Sequence, residues 1–283
     1  MDLLVSTQWL ADRISRGGIA ILDCSAHLPA AGRDAKAEFA EHHIPGARFL
    51  DLASLNDPES EAPSALPRAS QIAERLGALG VVPGQPIVLY DHSLLRSSAR
   101  AFFALDRACV TDLALLDGGF EKWLTEGRPV EQGEAAAAPT DFGCVTCDDE
   151  RVRSKADMLA NLQSRREQVV DARDADRFTA ASEDMVHGLA GGHIPGARNL
   201  FFRKLFSADG TFNAREDLAA EFAAAGIDPA APMIASCGSG MTASVVLFAH
   251  RLLGQTHGAL YDGSWAEWGA DPATPKETGE ARD

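Results

Sequence analysis

The sequence contains no long apolar segment. No run of about 18 apolar residues occurs anywhere, and the first residues, MDLLVSTQWLADRISRGG, include acidic side chains but no apolar core of signal-peptide length. We therefore expect neither a membrane-spanning helix nor a secretory leader. The sequence predicts a soluble, cytoplasmic protein.

Positive charge is also scarce. The chain has 26 Lys and Arg residues against 41 Asp and Glu residues, and its formal net charge is -15 at pH 7. Such a chain is repelled by the phosphates of nucleic acids and by anionic membrane surfaces. No nucleic-acid or membrane partner is expected, and an anionic small molecule would have to be held by a local positive pocket.

Cysteine is rare as well. The five cysteines are an odd number, scattered along a chain too large to need covalent staples, so reduced thiols are expected. One C-x-x-C pair occurs without a second pair, and chance spacing explains it better than zinc or redox work. The cysteines are Cys24, Cys109, Cys144, Cys147 and Cys237.

What the chain does contain is an internal repeat. The hexapeptide HIPGAR occurs at 43–48 and again at 193–198, and its histidines, His43 and His193, are expected to be structural turn residues. The segment DGGFEKW at 117–123 is likewise answered by DGSWAEW at 262–268. Strands and helices alternate within each copy, which predicts an α/β fold of two tandem modules, each a mainly parallel sheet flanked by helices.

The repeat sets the expected domain boundaries within the 283 residues. We expect a non-catalytic N-terminal module at 1–126 and a catalytic C-terminal module at 150–270. The small-residue sequence GEAAAAPT lies in a predicted linker at 127–149. Disorder is the default expectation for the acidic tail at 271–283.

The strongest candidate for a functional segment is the loop at 237–242. A short apolar run ends at Ser236, the loop CGSGMT follows, and apolar residues then recur at helical spacing up to a stop at Gly254. A cysteine at a strand-to-helix junction meets backbone N–H groups and the positive end of the helix dipole, which stabilise a thiolate. Taken alone, the loop is equally compatible with an inert buried cysteine.

The repeat supplies an internal comparison for this loop. Aligning the apolar runs at 86–90 and 232–236 places Asp91 opposite Cys237, and the N-terminal loop DHSLLR lacks the glycines. One module thus keeps an intact loop and the other does not. This asymmetry favours a single active site in the second module, beyond the carboxyl ends of its strands.

The sixth position after the cysteine separates two kinds of thiolate chemistry. A C-x5-R phosphatase needs an arginine there to bind phosphate with two hydrogen bonds. This chain has Ala243 at that position. Phosphatase or arsenate chemistry is therefore disfavoured, and a loop of neutral N–H donors suits a terminal persulfide better than a dianionic oxyanion.

Over nearly its whole length the chain resembles the two-domain rhodanese-type sulfurtransferases. The tandem modules, the paired HIPGAR motifs, DGSWAEW at 262–268 and CGSGMT at 237–242 carry the resemblance. Within that family the neutral C-G-S-G-x-T loop is similar to that of the 3-mercaptopyruvate sulfurtransferases. Thiosulfate sulfurtransferases carry C-R-K-G-x-T, whose cations suit a doubly charged donor.

The resemblance implies sulfur transfer in two half-reactions, with no metal or other cofactor. The Cys237 thiolate would take sulfur from 3-mercaptopyruvate, release pyruvate and pass the persulfide to a thioredoxin-like protein, a small thiol or cyanide. Ser239 would hydrogen-bond the substrate carbonyl or the reacting sulfur, and Thr242 would serve the helix start. The loop residues that would stabilise the persulfide are Gly238, Ser239, Gly240, Met241 and Thr242.

The resemblance also implies an arginine for the substrate carboxylate, since guanidinium binds a carboxylate with two parallel hydrogen bonds. The family's first such arginine matches Arg177. Arg173 lies close enough in sequence to contribute to binding or to brace Arg177.

Three positions depart from the family's pattern. Val186 stands where a second carboxylate-binding arginine is usual, and Ala53 and Ser64 stand where an aspartate and a histidine are proposed to work with the loop serine. That relay is expected to be absent unless another residue, such as His92 or His187, replaces it.

Three alternatives to a mercaptopyruvate enzyme stay open. In the first, the sulfur donor is thiosulfate or another sulfane-sulfur compound. In the second, the chain is a non-catalytic carrier that receives persulfide from a partner protein. The third, a phosphatase, is disfavoured by Ala243.

Overall fold

Two five-stranded parallel sheets organise the chain, and each belongs to a separate unit. The computed structural model describes residues 1–60, 62, 64–134 and 137–281. The first unit comprises Met1–Asp57, Leu66–Asp148 and Ala208–Phe212, and the second comprises Pro58–Ala65, Asp149–Ser207 and Asn213–Asp283.

The first sheet has the strand order β1-β5-β4-β2-β3 and the second has the equivalent order β6-β10-β9-β7-β8. All neighbouring strands pair in parallel. The strands are β1 (Leu4–Val5), β2 (Ala20–Asp23), β3 (Ala47–Phe49), β4 (Ile87–Tyr90), β5 (Leu113–Leu116), β6 (Val152–Arg153), β7 (Gln168–Asp171), β8 (Arg198–Asn199), β9 (Met233–Ser236) and β10 (Gly258–Tyr261).

Five α-helices accompany each sheet among the described residues. In the first unit they are α1 (Thr7–Ile14), α2 (Ala35–Glu41), α3 (Ala69–Ala78), α4 (Ser98–Arg107) and α5 (Gly119–Thr125). In the second unit they are α6 (Lys155–Ser164), α7 (Ala175–Thr179), α8 (Arg215–Ala224), α9 (Ala243–Leu252) and α10 (Ser264–Trp268).

The central strands are apolar and buried along their whole length, because helices cover the sheets. β4, β5, β9 and β10 have no exposed residue. In the second unit, Val169 and Ile234 of adjacent strands pack with Trp265 and Trp268 of α10. Parallel sheets are characteristically buried in this way. The predicted α/β fold of two modules is confirmed.

Local signals set several helix boundaries. The Ser6 hydroxyl accepts a hydrogen bond from Trp9 N at the start of α1, 3.1 Å away, and so caps the helix. α9 begins directly after the cysteine loop. It ends before Gly254, which has φ +88°, a conformation that favours glycine and stops the helix.

The HIPGAR histidines hold turns, as predicted. His43 Nδ1 donates to Phe39 O at 2.8 Å, and its ring stacks on Phe39 with centroids 4.0 Å apart. In the second module His193 Nδ1 donates to Phe178 O at 2.9 Å, and its ring stacks on Phe178 at 3.8 Å. Both imidazoles are buried and oriented by packing.

The segment expected to be a loose linker instead packs on the first unit. Thr140 N donates to Gly77 O at 2.9 Å, and Phe142 is buried. A Cβ on Gly77 would lie 2.6 Å from Thr140 O, so the glycine permits this close approach. Small residues here let one backbone run against another. Ala135 and Ala136 of this segment lie outside the described residues.

The tail expected to be disordered is also ordered over its described residues. Glu277 and His193 exchange two backbone hydrogen bonds, of 2.9 and 3.0 Å. Thr274 is buried, and Pro275 O accepts a hydrogen bond from Trp268 Nε1 at 2.8 Å. The expectation of disorder was wrong for 271–281; residues 282 and 283 lie outside the described part.

The reason for this order is that the tail completes the repeat. In the first module Glu131 pairs with His43 through backbone hydrogen bonds of 2.9 Å, and Trp123 Nε1 donates to Pro129 O at 2.8 Å. Each module therefore ends with a short Pro-x-Glu segment. The proline carbonyl of this segment accepts a hydrogen bond from the module's tryptophan, and its glutamate pairs with the backbone of the HIPGAR histidine.

Two further observations concern the whole described chain. None of its helices is both long and apolar enough to cross a membrane, taking residues 1–60, 62, 64–134 and 137–281 together. All five cysteines are free thiols, as their number and scatter predict.

Asp23, at the end of β2, generates a prediction about stability. Burial raises the pKa of its carboxyl to about 6, although hydrogen bonds from Ser25 and Tyr90 oppose the rise. Because the folded-state pKa exceeds the usual aspartate pKa of 3.8, the carboxyl destabilises the fold least below pH 4 and most above pH 6.

We therefore expect Asp23→Asn to raise the free energy of unfolding at pH 8, by at most about 3 kcal/mol, with a smaller gain at pH 5. Urea unfolding of both proteins at the two pH values measures this. The matched control is Asp171→Asn at the equivalent strand end, which removes an ion pair with Arg173 and should destabilise the protein. An equal loss for Asp23→Asn at both pH values would contradict the expectation.

Candidate active site

The cysteine loop lies at the carboxyl end of the central strand of the second sheet. β9 runs between β10 and β7, ends at Ser236, and is followed by the loop 237–242 and then α9. The predicted strand, loop and helix are confirmed. Cys237 is buried, with 2% of its surface exposed, whereas Ser239 and Met241 are half-buried at the loop's outer side.

Ser264, the first residue of α10, fixes the shape of the loop. Its hydroxyl accepts hydrogen bonds from Cys237 N and Gly240 N, both at 3.1 Å, and donates to Tyr261 O at 2.8 Å. Ser264 itself is fully buried and has φ +50°, in the left-handed region. One side chain thus ties the first and the fourth residue of the loop to the neighbouring strand.

Two loop carbonyls are bound by the first turn of α10. Trp265 N donates to Cys237 O at 3.0 Å, and Ala266 N donates to Gly238 O at 2.8 Å. These bonds satisfy N–H groups that a helix start leaves without intrahelical partners. They also occupy carbonyl lone pairs that would otherwise repel an anion near the cysteine.

The remaining loop amides are unpaired. Within the described chain, no acceptor binds the N–H groups of Gly238, Ser239, Met241 or Thr242. Gly240 has φ +78°, which allows the backbone to curl around one centre. A set of free N–H donors beside a cysteine at a helix start can bind an anionic sulfur.

His187 lies directly on the loop. A Cβ built on Gly238 would lie 2.2 Å from His187 Cε1 and 2.9 Å from Nε2, so the imidazole fills the space that any side chain at 238 would need. The ring is oriented by Asp184, whose Oδ1 lies 3.0 Å from His187 Nδ1. Asp184 is fully buried and His187 is 16% exposed.

Asp184 is the centre of a cluster of positive groups. Its carboxylate lies 3.4 Å from Arg173 Nη1, 3.6 Å from Arg177 Nη1 and 3.0 Å from His187 Nδ1. Burial alone raises the pKa of Asp184, but the hydrogen bond and charge of His187, with the two arginines, lower it to about 2. The carboxylate is therefore ionised at neutral pH.

Arg173 braces this cluster and does not face solvent, which corrects its assignment as a substrate ligand. Its side chain is 1% exposed and binds both oxygens of Asp171 and the carbonyl of Gly192. Its guanidinium also stacks on the Trp265 ring, 4.5 Å from the centroid. The spacing of residues in the sequence does not reveal that these donors are already used.

The guanidinium of Arg177 is partly exposed and only partly used in hydrogen bonds. Its Nε donates to Asp174 Oδ2 at 2.6 Å, and its side chain is 21% exposed. Within residues 1–60, 62, 64–134 and 137–281, its Nη2 has no hydrogen-bond partner. Arg177 is thus connected to the cysteine loop through Asp184 and His187, and it retains donors for a ligand.

At the three positions that depart from the family's pattern, the residues present cannot take the roles of the missing arginine, aspartate and histidine. Val186 is 44% exposed, and Ala53 and Ser64 are exposed. Of the two histidines considered as substitutes, His187 contacts the loop, whereas His92 lies beside Arg33 and Phe120 of the first unit.

The first unit shows what replaces the loop in the other module. Phe120 N donates to Asp91 O at 2.9 Å, which matches the bond from Trp265 to Cys237 and confirms the alignment. The Asp91 carboxylate accepts from Ser93 N at 3.0 Å and from Ser98 N at 2.9 Å. An internal carboxylate therefore uses amides of this loop, and Gly119 provides no hydroxyl like that of Ser264.

Sequence reasoning did not identify Ser264 or Asp184. The signal for Ser264 was one of the two differences between DGGF at 117–120 and DGSW at 262–265, the change from Gly119 to Ser264, whose effect on the loop the sequence does not reveal. The signal for Asp184 was weaker, because the turn that brings its carboxylate to His187 closes through a bridge between Asp184 and Leu189.

We expect Ser264→Ala to loosen the cysteine loop, because two buried N–H groups lose their acceptor at a cost of about 1–3 kcal/mol. Hydrogen exchange of the Cys237 and Gly240 amides should accelerate and the melting temperature should fall. Ser264→Gly is the control, since glycine adopts φ +50° without strain. If Ser264→Gly exchanged as slowly as the unchanged protein, the hydroxyl would not be the anchor.

Comparison with known proteins agrees with this architecture. Residues 6–126 and 154–271 each match the rhodanese-like domain family. A 3-mercaptopyruvate sulfurtransferase of Rattus norvegicus is 37% identical over 271 residues, which cover 94% of this chain and 91% of that protein. A thiosulfate sulfurtransferase of Cricetulus griseus is 36% identical over 273 residues, with coverage of 94% and 91%.

Among solved structures, SseA from Escherichia coli, described as a 3-mercaptopyruvate sulfotransferase, is similar with a TM-score of 0.84. The two chains are 33% identical, and the match covers 94% of this chain and 99% of SseA. With both modules matched and relatives that are sulfurtransferases, the resemblance drawn from the sequence is confirmed: the chain belongs to the rhodanese family.

Proposed function

We propose that the protein transfers sulfur from 3-mercaptopyruvate to a thiol acceptor through a persulfide on Cys237. The observation that carries the proposal is the loop 237–242. There a cysteine at a helix start is surrounded by N–H groups that have no partner among the described residues, and Ser264 holds the loop in that shape. Such a site stabilises a thiolate before the reaction and a persulfide anion after it.

The first half-reaction moves one sulfur atom. The Cys237 thiolate attacks the donor sulfur, an S–S bond forms and the donor's C–S bond breaks. The electron pair of the broken bond stays on the keto acid as the enolate of pyruvate, which takes up a proton. The cysteine sulfur is oxidised to a persulfide and the keto acid is reduced to pyruvate.

The second half-reaction restores the cysteine. A thiolate acceptor attacks the outer sulfur of the persulfide, a new S–S bond forms on the acceptor, and Cys237 leaves as a thiolate. The acceptors suited to this chemistry are a thioredoxin-like protein, a small thiol or cyanide. The half-buried Ser239 and Met241 lie at the outer side of the loop, from which an acceptor would approach.

The choice of donor rests on charge. The loop itself has no cationic side chain, and Arg177 is the partly exposed guanidinium linked to it through Asp184 and His187. A donor with one carboxylate remote from its sulfur fits one arginine beside a neutral loop. Ser239, half-buried and without a protein hydrogen bond among the described residues, is available to the donor's carbonyl.

Thiosulfate is the second candidate donor. Val186 supplies no second guanidinium, and thiosulfate sulfurtransferases are among the relatives at 36% identity. Measuring kcat/KM for both donors in one preparation decides between them. A higher value for thiosulfate would make it the donor and would leave the role of Cys237 unchanged.

Cys237→Ser should abolish pyruvate release from 3-mercaptopyruvate, by roughly 1000-fold or more, because an alcohol cannot accept the sulfur. Pyruvate is followed by coupled reduction with lactate dehydrogenase. Cys144→Ser, which changes an exposed cysteine, is the matched control and should retain full activity. Pyruvate release by Cys237→Ser at the rate of the unchanged enzyme would refute the catalytic proposal.

Arg177→Ala should raise KM for 3-mercaptopyruvate about 10- to 100-fold with a small change in kcat, because a charged hydrogen bond to the carboxylate is lost. Arg177→Lys keeps the charge but not the planar fork, so an intermediate KM is expected. Steady-state kinetics with varied donor measure both. If KM stayed the same in Arg177→Ala, the assignment of this arginine to the carboxylate would be wrong.

A further inference from the structure

The position of His187 is not explained by packing alone. Its ring occupies the space above Gly238, one residue from Cys237, while Nδ1 is held by the buried Asp184. Its Nε2 makes no hydrogen bond to any residue in the described ranges. A polar atom fixed against the cysteine loop and left without a partner is available to a ligand bound there.

The tautomer of His187 follows from its partner. Asp184 is ionised, and a carboxylate only accepts hydrogen bonds, so Nδ1 carries a proton. Nε2 then has a lone pair in the neutral imidazole and an N–H group in the imidazolium. His187 can therefore donate a hydrogen bond toward the loop only when it is charged.

The charges around the imidazole favour an anionic ligand in that charged state. Asp184 contacts the ring, Arg177 and Arg173 reach it through Asp184, and the loop contributes Cys237. The two arginines are bound in turn by Asp174 and Asp171. The three cationic groups and three carboxylates balance when His187 is protonated, and the cluster is negative when it is neutral.

We propose that His187 is the second carboxylate-binding residue of this enzyme, acting with Arg177 on a keto-acid donor. This inference rests on the proposed function and specifies its donor site. Val186, the neighbouring residue, carries no charge, so the imidazolium supplies the positive group that the turn at 184–189 otherwise lacks.

Two substitutions separate the two ring nitrogens. In His187→Asn the amide can keep the hydrogen bond to Asp184 but has nothing at the position of Nε2. In His187→Gln the longer amide reaches toward that position with an uncharged donor at every pH. His257→Asn is the matched control, because His257 is exposed and hydrogen-bonds Ala231 O before β10 begins, at the opposite end of the strands from Cys237.

The measurement is kcat and KM for 3-mercaptopyruvate at one pH. For His187→Asn we expect KM to rise roughly 10- to 100-fold with a small change in kcat, with His187→Gln intermediate and His257→Asn unchanged.

Two further readouts distinguish this role from others. The rate of Cys237 alkylation by iodoacetamide, and its loading by inorganic polysulfide, should stay within about 3-fold in His187→Asn, because neither involves a carboxylate of a keto acid. A parallel fall in alkylation would show that His187 acts on the cysteine and would overturn the inference. A fall in kcat with KM unchanged would also overturn it.

The experiments distinguish a failure of the proposed function from a failure of this inference. If the unchanged enzyme releases no pyruvate, sulfur transfer from 3-mercaptopyruvate is refuted, and the inference about His187 falls with it. If the unchanged enzyme releases pyruvate and His187→Asn has the same KM, the inference alone is refuted.

Discussion

The chemistry of this protein depends on one hydroxyl group. A loop that binds an anion must leave its N–H groups free, yet a loop with free N–H groups has little to hold its shape. Ser264 resolves this conflict by accepting hydrogen bonds from Cys237 N and Gly240 N, while α10 binds the carbonyls of Cys237 and Gly238. The other amides of the loop have no partner in the described part of the chain, so the site is preorganised before any donor arrives.

The two modules show how the same fold has lost and kept this arrangement. In the first module Asp91 replaces the cysteine and its carboxylate accepts from Ser93 N and Ser98 N, while glycine stands at the position of the anchoring serine. In that module the carboxylate of Asp91 itself occupies amides that could otherwise bind an anion. In the second module the nearest carboxylate, Asp184, lies outside the loop and orients His187 against it. The displacement of negative charge from the loop to a neighbouring turn leaves the amides for a substrate.

The fold of both modules could be predicted from the sequence, but part of the site could not. Apolar runs and the HIPGAR repeat predict strands, helices and the location of Cys237, because each of these signals is local. Arg173 was misassigned because burial and its bonds to Asp171 arise only when the turn folds back. The ordered tail was missed because Pro-x-Glu is a short signal whose partners, Trp268 and His193, are distant. The pairing of Asp184 with His187 depends on a tight turn that has no clear sequence mark.

The central claim is that Cys237 is the sulfur carrier because its loop alone is built to hold an anionic sulfur. The other cysteines test this claim within the same molecule: Cys24 is buried and carries a pKa raised by burial and by Asp23 and Asp91, while Cys109 and Cys144 are exposed. Peptide mass mapping after brief incubation with 3-mercaptopyruvate measures which cysteine gains sulfur. We predict a gain of one sulfur atom on the peptide that contains Cys237 and none on the other four. Equal loading of the exposed cysteines, or none on Cys237, would contradict the account.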